Sequence, residues 1–388
     1  MNILFFMNHY PDSRNGGIEN VTRMISEQFV KAGHIVHIRF LNTSIFAHSD
    51  NSIFKSCKQI SVEDIFKEIS DTVKLHNIDI IVNRCVIIAS PIIKRAIAGT
   101  NCRLITTYNN KPTLSPPSIK DVTTNSATST IKKILILLGY PLFSLRSRKR
   151  LKARHQNSYH SSDKTILLSK NYIPEYTQMM NINSDKLVYI NNPIRDTLKV
   201  SANWKDCKEN NILMVTRLDE EQKCIIKAIK IWKNIAPYNP KWKLQIVGSG
   251  PDEEKIKKYV QKLNIKNIEF YPAQTPEDFY KKSSIFLMTS RNEGWPNTLN
   301  EAMRLGCIPI VIDTFSAVHD MIENNIDGII IPKLREEDDI NNCCNAITTL
   351  IKDKDLRIEL STKAIEKSNR LSIVSIAEQW LDLFQSII

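Results

Sequence analysis

Short apolar runs alternate with helical patterns along this chain, and the whole alternation occurs twice. The first series has apolar runs at residues 3–7, 35–40, 78–82, 103–107, 165–168 and 187–190. The second series has them at residues 211–216, 244–247, 268–271, 285–288, 309–312 and 328–331. Strands that alternate with helices predict a parallel, doubly wound sheet. The sequence therefore predicts an α/β protein with one such sheet in each half.

A charged segment without a clear period, at residues 194–210, separates the two series. We therefore place one Rossmann-like domain at residues 1–194 and a second at residues 195–371. The last helical pattern, at residues 372–388, carries Trp380 and Phe384 on one face. In doubly wound sheets, ligands bind outside the carboxyl ends of the strands. The loops that follow the strands are thus the places to search for a site.

The chain is basic, with 53 Lys and Arg against 41 Asp and Glu and a net charge of +12. Such a surface attracts nucleic acid, anionic lipid or small anionic substrates. A binder of single-stranded nucleic acid also needs aromatic side chains along its basic face, and no such face is visible in the sequence. We therefore expect no nucleic-acid partner.

The eight Cys residues form neither a Cys-x-x-Cys pair nor a metal-ligand spacing. Several lie in or beside apolar stretches, which is typical of small core residues. This usage fits a reduced compartment. The first apolar run is too short for a signal peptide. We therefore expect a cytoplasmic protein, either free or in peripheral contact with the inner face of the cell membrane.

An apolar stretch at residues 131–138 is followed by a dense cluster of Lys and Arg at residues 146–154. The longest apolar run here is broken by Gly139 and Pro141 and is too short to span a bilayer. Apolar side chains beside a basic cluster can rest on an anionic membrane face. A solvated basic helix that caps the domain explains residues 131–154 equally well, and both interpretations remain open.

The most informative stretch is Ser-Arg-Asn-Glu-Gly-Trp-Pro-Asn-Thr-Leu-Asn-Glu-Ala-Met, at residues 290–303. It lies between a buried strand and a helical pattern. Pro296 suits a helix start, and the free N–H groups of such a start bind anions. Glu293 precedes this start and Glu301 lies just inside it. Two carboxylates placed in this way can accept the hydroxyls of a ligand whose phosphates sit on the helix end, as a sugar nucleotide requires.

The loops that follow other strands of the second half carry compatible residues. Arg217 can bind two phosphate oxygens and Lys223 can add a point charge. Gly248, after the next strand, either relieves crowding near a nucleotide or simply permits a tight turn. In the first half, Gly16 and Gly17 open the first helix, where the missing Cβ atoms let a ligand approach the backbone.

At residues 290–303 the sequence closely resembles the retaining glycosyltransferases of family 4, which have the GT-B fold. The Arg-Leu loop at residues 217–223 and the Gly-Gly loop are similar to those of the family. The resemblance implies two Rossmann-like domains that face each other across a cleft, with the last helix crossing back to the first domain. Enzymes of this kind occur in bacterial capsule, O-antigen and exopolysaccharide synthesis.

The resemblance also implies roles for individual residues. Glu293, Arg217 and Lys223 would be catalytic, with Glu293 at the donor sugar, while Glu301 would hold the ribose. The implied donor-binding residues are Gly16, Gly17, Arg217, Lys223, Gly248, Tyr271, Gly294, Trp295, Pro296, Asn297, Thr298, Leu299 and Glu301. No metal and no cofactor are implied, since the two cations and the helix end cover the phosphates.

Two departures from the family stand out. Relatives usually have Gly after the Lys of the phosphate loop, where this chain has Cys224. Many also have a His near Tyr108 that approaches the donor sugar, and this chain has none there. Either Tyr108 or Asn109 takes over that contact, or the contact is absent. By the resemblance both residues belong to the acceptor-side domain, and we expect them on the acceptor side of the site.

The sequence thus predicts a metal-independent, retaining hexosyltransferase. It would move a hexose from a nucleoside diphosphate sugar, taken as UDP-sugar, to a hydroxyl of a glycan or lipid-linked glycan acceptor in cell-surface polysaccharide synthesis. One alternative is a GT-B sugar-nucleotide epimerase, which needs no acceptor. The other is a non-catalytic GT-B subunit that binds a partner enzyme or a membrane.

Overall fold

The computed structural model describes residues 1–12, 17–42, 53–115 and 130–388, without the side chains of residues 130–139. The chain forms two compact units. The first contains Met1–Leu167, Tyr172–Tyr189 and Leu381–Ile388, and the second contains Leu168–Asn171 and Ile190–Trp380. The long segment of the second unit begins at Ile190. The boundary predicted from the sequence, at residue 194, lies four residues further along the chain.

The described part of the first unit has one sheet of seven parallel strands, in the order β3-β2-β1-β4-β5-β6-β7. The strands are β1 Asn2–His9, β2 Ile35–Asn42, β3 Ser56–Gln59, β4 Ile80–Arg84, β5 Arg103–Tyr108, β6 Lys164–Leu167 and β7 Leu187–Tyr189. The central strands are buried on both faces, as the continuous apolar runs of β1 and β4 predict.

Helices cover both faces of this first sheet. They are α1 Gly17–Lys31, α2 Ile65–His76, α3 Ser90–Ala96, α4 Thr130–Ser161 and α5 Tyr172–Met180. The basic stretch at residues 146–154 belongs to α4, a helix of 32 residues that continues through Pro141. The end of the chain also belongs to this unit, where the ring of Phe384 lies 5.6 Å from that of Phe29.

The second unit has a sheet of six parallel strands in the order β10-β9-β8-β11-β12-β13, within the residues described. The strands are β8 Glu209–Val215, β9 Lys243–Val247, β10 Ile268–Tyr271, β11 Ser283–Met288, β12 Ile308–Ile312 and β13 Ile329–Ile331. The predicted α/β class with two parallel sheets is confirmed.

The remaining helices are α6 Glu220–Lys223, α7 Ile225–Ile235, α8 Glu253–Lys262, α9 Glu277–Lys282, α10 Asn297–Arg304, α11 Val318–Met321, α12 Glu336–Lys352, α13 Lys354–Ser368 and α14 Ile373–Gln385. The last residues of α14, from Leu381, belong to the first unit. Ile, Leu and Trp side chains make up most of the core of the second unit. No helix in the part of the chain that the structure describes is long and apolar enough to cross a membrane.

Each sheet reverses its strand order at one point, between β1 and β4 in the first and between β8 and β11 in the second. The crevice outside the carboxyl ends of the strands at such a point is the usual ligand site of this architecture. The loop after β8 carries Arg217, and the loop after β11 carries Glu293. The second sheet thus brings the two predicted loops to one edge.

Candidate functional site

Hydrogen bonds join the loop after β11 to the short helix α6. Thr289 Oγ1 donates to the carbonyl of Lys223 at 3.1 Å and to that of Cys224 at 2.9 Å. The Arg291 N–H donates to the Gln222 carbonyl at 2.8 Å, and Gln222 Nε2 donates to the Asn292 carbonyl at 3.1 Å. These contacts fix one loop against the other.

Two of the predicted catalytic residues meet at this junction. Lys223 Nζ lies 2.6 Å from Glu293 Oε1, and the two side chains are 18% and 9% exposed. A charge-assisted hydrogen bond of this length is among the stronger ones in proteins. The sequence predicted both residues but not that they form a pair, because the pairing depends on how the two loops meet.

The third predicted catalytic residue, Arg217, has a different environment. Its side chain is 60% exposed, and Nη2 lies 2.6 Å from Asp219 Oδ2. The same nitrogen lies 3.4 Å from Gln222 Oε1. Exposed ion pairs contribute little stability, so the guanidinium can exchange Asp219 for an anionic ligand at low cost.

Glu301, predicted to hold a ribose, is a buried residue in α10 with two partners that the sequence did not reveal. Arg195 donates to Oε1 through Nε at 3.1 Å and through Nη2 at 3.0 Å. The Tyr280 hydroxyl donates to Oε2 at 3.2 Å. Burial raises the pKa of Glu301, and the Arg195 charge and the Tyr280 hydrogen bond oppose that rise. Arg195 lies two residues after the Asn-Asn-Pro sequence at residues 191–193, in the charged segment that separates the two series of strands, and no pattern there distinguished it.

The start of α10 combines exposed and buried residues. The helix begins at Asn297, directly after Pro296. Of the donor-binding residues predicted here, three are partly exposed and three are buried. The partly exposed residues are Gly294, Asn297 and Thr298, and the buried residues are Trp295, Pro296 and Leu299. Leu299 has no exposed surface, so its side chain belongs to the core.

Gly248, another predicted donor contact, allows two neighbouring loops to touch. It has φ +147°, and a Cβ atom there would lie 1.9 Å from the Thr216 carbonyl oxygen. The Thr216 N–H donates to the Val247 carbonyl at 3.0 Å, and the Leu218 N–H donates to the Ser249 carbonyl at 3.1 Å. The crowding that glycine relieves at this position therefore comes from the protein's own loop after β8.

Cys224 adopts the left-handed conformation, with φ 51° and ψ 48°. The helical pattern of the sequence at residues 222–235 predicts a single helix. This prediction is wrong, because Cys224 separates α6 from α7. Glycine adopts this conformation at the lowest cost. The backbone thus has the turn that a glycine would favour, although the residue is a cysteine. Glu220 Oε2 accepts the Ile226 N–H at 2.9 Å and caps the new helix start.

Tyr271 lies at the end of β10, as predicted. Its hydroxyl donates to Glu269 Oε2 at 2.8 Å, and its ring makes an edge contact with Phe279 at 4.7 Å. These contacts hold the side chain beside the strand end.

In the first unit, Gly17 is the first residue of α1, whereas Gly16 lies outside the described residues. The ring of Tyr108 packs edge-on against His155 at 4.8 Å, and burial raises its pKa to about 12. His155 Nδ1 lies 2.9 Å from the Tyr176 hydroxyl. A histidine therefore does lie beside Tyr108, but it comes from α4, which no local pattern could show.

Asn109 differs from its neighbour Tyr108 because its side chain is unsatisfied. The residue is 8% exposed, and neither Oδ1 nor Nδ2 has a hydrogen-bond partner in the structure as described. A buried amide without partners costs about 1–3 kcal/mol. Most buried polar side-chain atoms in proteins have a hydrogen-bond partner, so the Asn109 amide is an exception. Within the described residues, no group of three or more His, Cys, Asp or Glu side chains could hold a metal ion.

Residues 197–367 match the family model described as glycosyl transferases group 1. An uncharacterized glycosyltransferase of Haemophilus influenzae is 30% identical over 154 residues, which are 39% of this chain and 42% of that protein. A lipopolysaccharide 1,6-galactosyltransferase of Salmonella typhimurium is 29% identical over 211 residues, or 53% of this chain and 56% of that protein. The chain spans about half the length of these relatives.

Solved structures match over the whole chain. Anabaena HepE in complex with UDP has a TM-score of 0.75 at 14% identity, covering 100% of both chains. The apo form of the lipopolysaccharide outer core galactosyltransferase WaaB has a TM-score of 0.70 at 18% identity, again covering 100% of both chains. The GT-B fold predicted from the sequence is thereby confirmed.

Proposed function

We propose that this protein is a glycosyltransferase that moves a hexose from a UDP-sugar to a hydroxyl of a cell-surface glycan. The observation that carries the proposal is the buried Lys223–Glu293 pair at the strand-order reversal of the second sheet. The matched family model covers the same part of the chain, residues 197–367. The UDP in the HepE complex supports the choice of donor.

The reaction requires positive charge beside the donor phosphates, because the nucleoside diphosphate departs with additional negative charge when its bond to the sugar breaks. Lys223 and the exposed Arg217 supply two cations near the carboxyl ends of β8 and β11, where the strand order reverses. The N–H groups at the start of α10 add a partial positive charge. These groups stabilise the departing diphosphate without help from a metal. We therefore propose metal-independent transfer.

Glu293 has a second role in this proposal. Lys223 holds its carboxylate at 2.6 Å, between the phosphate loop and the start of α10. A carboxylate has about four lone-pair sites, so Glu293 can still accept hydroxyls of the donor sugar. Glu301 uses Oε1 for Arg195 and Oε2 for Tyr280, and its remaining lone pairs can accept the ribose hydroxyls.

The reaction course that we propose is retention by front-face attack. In this course the acceptor hydroxyl would form its bond to the anomeric carbon on the face from which the diphosphate departs. The sugar–phosphate bond would break, and the departing phosphate would accept the proton of the hydroxyl. On the acceptor side, the unsatisfied amide of Asn109 would bind a sugar hydroxyl, which would remove the cost of burying it without partners. Tyr108 already has ring partners, so we assign the contact to Asn109.

We also propose that α4 rests on an anionic membrane surface. Leu142, Phe143 and Leu145 are 65%, 41% and 57% exposed. The sequence from residue 130 to 161 contains eight Lys and Arg and no Asp or Glu. Exposed apolar side chains next to uncompensated cations favour binding to acidic lipid. Flotation with vesicles of phosphatidylglycerol, and not of phosphatidylcholine, is the expected result.

The transfer proposal is tested with Lys223→Met. Loss of a charge-assisted contact to the diphosphate costs about 1.5–3 kcal/mol, so UDP affinity should fall by roughly 10- to 150-fold. The matched control is Lys258→Met, which removes an exposed lysine of α8 and should leave affinity unchanged. Equal UDP affinity in wild type and Lys223→Met would overturn the site assignment.

Turnover distinguishes the remaining alternatives. Glu293→Gln should bind UDP and lose transfer, whereas a non-catalytic subunit would show no turnover in either form. Incubation with UDP-sugar alone identifies an epimerase, because a changed nucleotide sugar would appear without acceptor. NMR of the anomeric proton of the product tests retention, and the rate in the presence of EDTA tests metal independence.

A further inference from the structure

A cavity of about 260 Å³ lies in the second unit, at the edge of the sheet opposite the Lys223–Glu293 pair. Asn210, Ser284 and Ile308 line it, and they lie at or near the first residues of β8, β11 and β12. Lys223 and Glu293 follow the other ends of these strands. A strand of seven residues is roughly 20 Å long, so this cavity is separate from the candidate transfer site.

The lining of this cavity carries an excess of positive charge. Its cations are Lys205, Lys208, Lys354 and Arg357, and its single carboxylate is Asp206. Four positive charges less one negative charge leave a net charge of +3. In the described part of the chain, none of these four cations forms an ion pair with a carboxylate. The cavity therefore attracts anions.

Two of the cations are fixed in place before any ligand arrives. The Lys208 ammonium donates to the carbonyls of Tyr280 at 2.9 Å, Ser283 at 2.8 Å and Leu305 at 2.6 Å. Arg357 donates to the Ile351 carbonyl at 2.9 Å, and its guanidinium lies 5.4 Å from the ring centroid of Trp242. An anion that binds here does not need to order these two side chains.

The other two cations, Lys205 and Lys354, are exposed. The Lys354 ammonium is thus accessible to a ligand in the cavity, and the Lys205 ammonium lies 5.8 Å from the ring centroid of Trp204. The fixed side chains of Lys208 and Arg357 attract an anion electrostatically, and the exposed lysines can donate hydrogen bonds to it.

One wall of the cavity is an indole ring. Trp204 lines the cavity, and Gly306 makes room for it, since a Cβ at Gly306 would lie 3.1 Å from Trp204 Cε3. Ile308 and Ile358 add apolar surface to the lining. A flat ring can stack on such a wall, because aromatic faces attract each other in offset arrangements.

We propose that this cavity binds a small phosphate ester that carries a flat ring. The phosphate group, with about two negative charges at neutral pH, would meet Lys205 and Lys354, and the ring would lie on Trp204. The inference concerns a site remote from Lys223 and Glu293, and it holds whether or not the protein transfers sugars.

Tryptophan fluorescence tests the proposal directly, with phenyl phosphate as the probe. Trp204 is partly exposed, whereas Trp232, Trp242, Trp295 and Trp380 are all at most 6% exposed. These are all five tryptophans of the chain. We expect phenyl phosphate to quench the emission saturably, and Trp204→Phe to abolish this change.

Charge variants provide the matched comparison. Lys354→Glu should weaken phenyl phosphate binding by about tenfold or more, because an attraction becomes a repulsion. Lys258→Glu, an equal charge change on exposed α8, should leave binding unchanged. Iodide should quench wild type more than Lys354→Glu, whereas neutral acrylamide should quench both equally. The last comparison also shows that the variant keeps its fold around Trp204.

Three results would overturn the proposal. One is the absence of saturable quenching by phenyl phosphate in wild type. Another is equal affinity of wild type and Lys354→Glu. A third is binding of inorganic phosphate as tightly as phenyl phosphate, which would show that the ring has no part in recognition.

Discussion

Replacement of Arg195 by glutamine should destabilise the second unit through Glu301. The two donors of Arg195 lie 3.1 and 3.0 Å from Glu301 Oε1. The substitution keeps a long polar side chain and removes the charge. The Glu301 carboxyl then remains in a buried place with Tyr280 as its other partner. The expected loss of stability is the cost of leaving that carboxylate without its cation.

The size of the loss follows from the exposure of the pair. Removing one partner of a fully buried ion pair costs about 3–5 kcal/mol, and exposed pairs are worth about 0–1 kcal/mol. The Arg195 and Glu301 side chains are 28% and 11% exposed, so this pair lies between those limits. We expect Arg195→Gln to lower the free energy of unfolding by about 2 kcal/mol.

The loss should also depend on pH. Burial already raises the pKa of Glu301, and Arg195 opposes this rise, so the variant should have a still higher pKa at Glu301. A carboxyl that binds its proton more tightly when folded makes the fold less stable as pH rises through that range. The deficit of Arg195→Gln should therefore be largest at neutral pH and shrink towards about pH 4.5, near the unfolded pKa of Glu.

Urea unfolding followed by tryptophan emission is the suitable assay, because all five tryptophans lie in the second unit. A double-mutant cycle of Arg195→Gln with Glu301→Gln isolates the pair. We expect a coupling free energy of about 1–2 kcal/mol at neutral pH. A coupling below about 0.5 kcal/mol, or a deficit that grows on acidification, would refute the reasoning.

Three further predictions concern backbone strain and a buried histidine. Cys224→Gly should be more stable than Cys224→Ala by about 1 kcal/mol in urea unfolding, because both lose the thiol and glycine avoids the left-handed strain; equal stability would contradict this. Gly248→Ala should cost about 3 kcal/mol or more, since the added Cβ meets the Thr216 carbonyl oxygen at 1.9 Å. The control is Gly33→Ala, where φ is +82° but the Cβ meets no atom within 4 Å, and circular dichroism should show the smaller loss there. Burial lowers the pKa of His155 from 6.5 to about 4. The free energy of unfolding should therefore rise between pH 4 and pH 6.5, by at most about 3 kcal/mol. This pH dependence should flatten in His155→Gln, and an unchanged pH dependence would exclude His155 as its source.

Most strands were predictable, because they are runs rich in Ile, Leu and Val. The prediction for residues 268–271 has the bounds of β10, although this edge strand is only partly buried. The missed strand, β3, is the polar segment Ser56–Gln59 at the other sheet's edge, where no apolar run marks a strand. Apolar composition, rather than burial, therefore decides which strands a sequence reveals.

The candidate site was predictable residue by residue but not contact by contact. Glu293 and Glu301 were selected from the motif at residues 290–303, and Lys223 from the Arg-Leu loop at residues 217–223. Their pairing depends on which loops meet at the sheet edge, and no local pattern contains this information. The break at Cys224 was missed for another reason, since cysteine gives no signal for a left-handed turn.

The close contact at Gly248 restricts how the second unit can change during evolution. The loops after β8 and β9 touch through main-chain atoms, including the 3.0 Å hydrogen bond from Thr216 N–H to the Val247 carbonyl. An insertion or deletion in either loop would shift this main-chain register and displace the other loop. The two loops should therefore keep their lengths together, and changes of loop length should accumulate at other strand ends, such as the one after β10.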